Sequence, residues 1–94
     1  METVAGEKKD HKVMIYTLST CGWCKKTRAL LKDLGVEFNY VDLDQAHGEE
    51  AKQAREDLKK YNPRASAPTV VIDDGKEVII GFDEEKIRRI FANG

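Results

Sequence analysis

The chain has 94 residues, of which 40% are hydrophobic and 35% charged, enough apolar content for one compact core in a single domain. Its 16 Lys and Arg nearly cancel its 17 Asp and Glu, leaving a net charge of -1, which argues against a nucleic-acid binder with basic charge gathered on one face. No apolar stretch approaches the ~20 residues of a membrane span, Met1 to Glu7 hold no apolar run of the signal-peptide kind, and two cysteines are too few for a secreted disulfide scaffold. The expected compartment is therefore cytoplasmic.

Residues 1–11 mix acids and bases and offer little to pack, so they are expected to form a flexible tail, with the folded domain occupying 12–94. Val13 to Leu18 is a nearly continuous apolar, β-favouring run, the pattern of a strand covered on both faces. From about Gly22 to Leu34 the spacing predicts a helix: Cys24, Thr27, Leu31 and Leu34 recur at steps of three and four, with Leu30 widening the stripe and Gly35 placed as the stop. Val36 to Val41 alternates as a half-buried strand. Gln45 to Tyr61 reads as a charge-rich helix with a thin inward stripe of Ala51, Ala54, Leu58 and Tyr61, ended by Pro63. Thr69–Ile72 and Glu77–Ile80 are strands joined by a tight Asp-Gly turn, hence antiparallel. Asp83 caps a last helix reaching to about Phe91, with Glu84 and Glu85 in its first turn and Ile87, Ile90 and Phe91 facing inward. The order β-α-β-α-β-β-α, with a crossover helix making the first two strands parallel, predicts an α/β domain: a four-stranded mixed sheet with three helices.

Cys21 and Cys24 lie three residues apart, where a buried strand gives way to a helix. Unpaired backbone N–H groups and the positive end of the helix dipole favour a thiolate over a thiol at the first position. Cys24, one turn in, falls on the inward stripe. The pair can therefore divide labour: Cys21 attacks a disulfide, and Cys24 releases the mixed disulfide by attacking Cys21. Three other readings compete. Zinc wants four ligands, and only His11 and His47 remain to join the cysteines, neither at familiar ligand spacing. The cysteines could be inert core thiols, although two at helix-start spacing are seldom accidental. Ligation of an iron–sulfur cluster is the third.

Val13-Met14-Ile15-Tyr16-Thr17-Leu18-Ser19-Thr20-Cys21-Gly22-Trp23-Cys24, followed by Ala67-Pro68-Thr69-Val70 and Gly81-Phe82-Asp83 in that order, resembles the glutaredoxin branch of the thioredoxin-fold proteins over about residues 12 to 92. The resemblance implies a thioredoxin fold and a thiol–disulfide oxidoreductase acting on protein or low-molecular-weight disulfides. It implies Cys21 as nucleophile, Cys24 as resolving thiol, and a cis peptide bond at Pro68 facing them. A substrate groove would then be bordered by Trp23, Ala67, Pro68 and Thr69. Gly81, Phe82 and Asp83 stand where the family holds glutathione, and Arg64 is a candidate for one of its carboxylates. The sequence departs from that pattern in four places. Gly22-Trp23 stands for the common Pro-Tyr, no lysine lies at Ser19 or Thr20, Ile80 replaces a glycine, and Ala67 replaces a larger residue. These departures are similar to the glutaredoxin-like hydrogen donors of ribonucleotide reductase. The implied electron source is therefore either glutathione or a reductase, thioredoxin reductase-like or ferredoxin-linked. The expectation is a monomer with no bound cofactor and no metal. The alternative is a [2Fe–2S] cluster held between two chains with glutathione as co-ligand, Cys21 being the protein ligand.

Overall fold

The computed structural model describes residues 1–92. Strands β1 (Glu2–Val4), β2 (Val13–Thr17), β3 (Phe38–Asp42), β4 (Thr69–Ile72) and β5 (Glu77–Ile80) alternate with helices α1 (Gly22–Asp33), α2 (Gly48–Tyr61) and α3 (Glu84–Phe91). They build one mixed sheet in the order β1-β3-β2-β4-β5. β2 and β3 are parallel, joined by α1, while β4 runs antiparallel to β2 and β5 antiparallel to β4. This is the α/β layer domain expected from the element order, with the thioredoxin fold that the resemblance implied.

The period of two along the central strands assigns the cores. Val13 and Ile15 of β2, with Val70 and Ile72 of β4, bury against Leu30 and Leu31 of α1 and Ile87 and Phe91 of α3. On the other face Tyr16 and Val71 pack on Ala54 and Leu58 of α2. The buried residues of α2 are Ala51, Ala54 and Leu58, so its inward stripe is as thin as the sequence indicated. Burial pushes the Tyr16 phenol up to about 12, with Asp57 and Tyr61 nearby adding to the effect.

Two boundaries differ from the sequence reading. The sheet has five strands instead of four, and the fifth comes from residues 1–11, expected to be a flexible tail. Glu2, Thr3 and Val4 pair antiparallel with Tyr40, Asn39 and Phe38. Lys8 then exchanges backbone hydrogen bonds with Gly35 and Glu37 at 2.9 and 3.0 Å, and its Nζ reaches the Phe91 carbonyl at 3.0 Å. The edge of β3 was available, and a three-residue strand is enough to cover it. The second difference is the start of α2, at Gly48 instead of Gln45. Asp42 O accepts the amides of Gln45 and Ala46, and His47 is extended. Gly48 then takes φ +60, a turn that a continuous helix does not pass through.

The β4–β5 turn is tight, as its Asp-Gly implied. Asp73, Asp74 and Gly75 take φ 52, 57 and 105, left-handed values that Asp tolerates and Gly adopts freely. The Asp73 carboxylate also accepts the Lys12 amide at 2.9 Å and lies 2.7 Å from His11 Nδ1. The contact with His11 holds the Asp73 carboxyl below its usual range.

Candidate active site

Cys21 follows a turn in which its own amide donates to Leu18 O at 3.1 Å. Its backbone is extended, and it caps α1: Cys21 Sγ accepts the Cys24 N–H at 3.2 Å. No acidic residue stands in the first turn of α1 to offset the positive end of its dipole. The turn is held from a second loop. Asp44, just past β3, accepts the Ser19 amide at 2.9 Å and the Ser19 hydroxyl. Those bonds keep the Asp44 carboxyl below its usual range.

Cys24 is fully buried and Cys21 partly exposed, and both thiols are free. Burial pushes the Cys24 thiol up to about 12, and its hydrogen bond with Cys21 adds to that. The two sulfurs thus occupy different environments one helical turn apart. One is open to a reaction partner at a helix N-terminus, and the other is neutral and enclosed.

Across from α1, Ala67-Pro68 forms a cis peptide bond, as the resemblance implied. Pro68 O accepts the Gly81 amide at 2.8 Å, joining the start of β4 to the end of β5. Trp23, Ala67, Pro68, Gly81 and Phe82 line a shallow groove of about 280 Å³ without a charged side chain. Trp23 is 57% exposed; its ring stacks on Phe82 with centroids 5.6 Å apart, and Lys26 Nζ sits 4.6 Å over it. Trp23 therefore both packs on the domain and presents an aromatic face beside Cys21.

Of the expected site residues, Thr69 lies off the groove, Asp83 has the cap role its position in the sequence predicted, and Arg64 keeps an exposed side chain. Thr69 is fully buried, its hydroxyl donating to Ser66 O at 2.7 Å, so its side chain does not border the groove. Strand alternation puts it on the α2 face with Val71. Asp83 caps α3, accepting the Lys86 amide at 3.0 Å. Arg64 is exposed on the loop after α2, where its amide donates to Asn62 Oδ1 at 3.2 Å. Sequence reasoning missed the Ser19–Asp44 contact and the buried Asn62, because both join residues that share no periodicity.

Among the described residues, no three His, Cys, Asp or Glu side chains gather where they could hold a metal ion. A [2Fe–2S] cluster takes four ligands, usually thiolates. With Cys24 enclosed, this chain offers Cys21 as its accessible thiol, so it would supply one of the four ligands and a second chain with glutathione the others. No helix among the described residues is long and apolar enough to cross a membrane.

Comparison with known proteins agrees with this geometry. The family model described as glutaredoxin matches residues 13–78. A glutaredoxin-like 8.6 kDa protein from the rubredoxin operon of Clostridium pasteurianum is 32% identical over 78 residues, covering 83% of this chain and 95% of its own. Glutaredoxin 3 of Escherichia coli K12 is 39% identical over 61 residues, 65% of this chain and 68% of its own. The crystal structure of the glutaredoxin from Methanosarcina mazei Go1 superimposes with a TM-score of 0.86 at 46% identity, covering 96% of this chain and 85% of that one. With the cysteine pair at the head of α1 and the thioredoxin-type sheet beneath it, the chain belongs to the glutaredoxin family, whose members are generally thiol–disulfide oxidoreductases.

Proposed function

We propose that this chain reduces disulfides, chiefly those of proteins, through its own dithiol. The observation that carries the reading is the asymmetry of the two sulfurs: Cys21 is partly exposed and hydrogen-bonded by the Cys24 amide, while Cys24 is fully buried. The Cys21 thiolate attacks one sulfur of the substrate disulfide, and the other leaves as a thiolate. Cys24 then attacks Cys21 Sγ. The substrate's first sulfur departs, and the proton from Cys24 passes to a leaving thiolate. The substrate has gained two electrons, and the protein holds a Cys21–Cys24 disulfide. Burial of Cys24 keeps it a thiol until the mixed disulfide forms, so it does not compete for the first attack.

The groove favours an extended peptide segment over a small anionic thiol. It is lined by Trp23, Phe82, Ala67 and Pro68, and Asp83, which could meet an amino group, is engaged as a helix cap. Its oxidised form is returned to the dithiol by glutathione or by a reductase of the thioredoxin reductase-like or ferredoxin-linked kind. Ribonucleotide reductase is one class of acceptor, and a cytoplasmic setting belongs to the same proposal. The test is reduction of insulin disulfides by the dithiol protein, compared with Cys21→Ser. The reading expects activity in the parent and none in the variant; activity retained in Cys21→Ser contradicts it.

A further inference from the structure

Asn62 is one of the few polar side chains in the interior, at 2% exposure. Its backbone ends α2, the amide donating to Leu58 O at 2.7 Å, and that bond needs no particular side chain. The side chain is spent elsewhere. Nδ2 donates to Ser66 Oγ and to Thr69 Oγ1, both at 3.0 Å, and Oδ1 accepts the Arg64 amide at 3.2 Å. The Thr69 hydroxyl in turn donates to Ser66 O at 2.7 Å. Every one of these bonds points forward, into residues 64–69. That segment carries Ala67 and Pro68, the groove wall facing Trp23 and Phe82.

A buried amide is costly unless its donors are paired, and a fully paired network rigidifies what it touches. Residues 64–68 are irregular; backbone bonds hold them at two points, Ala65 N donating to Asn62 O and Pro68 O accepting the Gly81 amide, both at 2.8 Å, and Ala65 packs against the α2-side core. Hydrogen bonds from Asn62 and Thr69 bracket Ala67 and Pro68 on both sides.

We propose that Asn62 is a positioning residue for disulfide exchange, acting through Ser66 and Thr69 to hold the Ala67–Pro68 wall where a substrate segment lies against it. This rests on the reading of the groove as a substrate site. The reacting sulfurs do not touch Asn62, so its loss should weaken substrate engagement and leave the intrinsic reactivity of Cys21 alone.

The experiment measures insulin reduction by the full chain and by Asn62→Ala, Thr69→Val and Thr69→Ser, alongside the rate at which iodoacetamide alkylates Cys21 at fixed pH. Misplacement of a positioning wall is expected to raise KM by about tenfold with kcat within about twofold. The alkylation rate should stay at the parent value in every variant. Thr69→Ser keeps the hydroxyl and should keep the parent KM. Thr69→Val removes it at nearly constant volume, so a poorly folded Asn62→Ala does not spare the proposal. An active parent with unchanged KM in Thr69→Val overturns this inference alone. So does an equal defect in Thr69→Ser, or an alkylation rate that falls in step with activity. An inactive parent overturns the functional reading and this inference with it.

Discussion

Gly6→Ala should loosen the N-terminal segment. A Cβ at Gly6 would stand 2.6 Å from Glu37 N, Gly35 O and Val36 C, all backbone atoms that no rotamer change can move. The chain can escape the clash by lifting residues 1–8 off the edge of β3, so the cost is capped by what holds that segment down. The Lys8–Gly35 and Lys8–Glu37 backbone bonds lie closest to the clash. At about 1 kcal/mol net for each, these two bonds alone set a lower bound of about 2 kcal/mol on the loss. For a domain of this size that corresponds to a Tm lower by about 8–16 °C. Thermal unfolding followed by circular dichroism reads the shift, and amide exchange at Tyr40, which lies opposite Glu2 of β1, should quicken. Activity should stay near the parent's, since the segment lies away from the cysteine groove. A Gly6→Ala protein with the parent Tm and unchanged exchange at Tyr40 would refute the docking of this segment.

Trp23→Ala removes the stack on Phe82 and one wall of the groove. An aromatic pair contributes about 0.5–1.5 kcal/mol beyond its buried area, so a modest drop in Tm should accompany a rise in KM for insulin; unchanged KM would take Trp23 out of the groove's function. Cys24 and Tyr16 both have folded pKa values raised to about 12. In the unfolded chain they ionise at their ordinary, lower values, so folding is favoured fully below about pH 9 and loses stability as pH rises toward 12. Urea midpoints measured between pH 8 and pH 11 should fall steadily, and a flat profile would contradict the enclosure of these two groups.

The parts of the fold that were legible were those whose pattern follows from burial alone. β4 and β5 came out at their observed ends because apolar runs meet a turn that only Asp-Asp-Gly chemistry suits. Asp83 announced α3 because capping is local. β1 was illegible for the opposite reason: Glu2-Thr3-Val4 has no pattern of its own and becomes a strand only because β3 has a free edge. The cysteine pair was legible because a motif and its position on a helix are both local. The groove was legible only in part, since Trp23 and Phe82 meet through topology, 59 residues apart. Thr69 could have been placed correctly, because it shares the face of Val71 and so points toward α2. Nothing in the spacing of Asn62, Ser66 and Thr69 announced their network.

The most direct measurement is to trap the mixed disulfide. Cys24→Ser, mixed with a disulfide-containing substrate and quenched by acid, should accumulate a covalent adduct at Cys21, identified by peptide mass and released by dithiothreitol. The parent under the same conditions should show no lasting adduct and should carry the Cys21–Cys24 disulfide. An adduct that forms equally in Cys21→Ser, or a parent that never forms the internal disulfide while its substrate is reduced, would contradict the assignment of attack to Cys21 and release to Cys24.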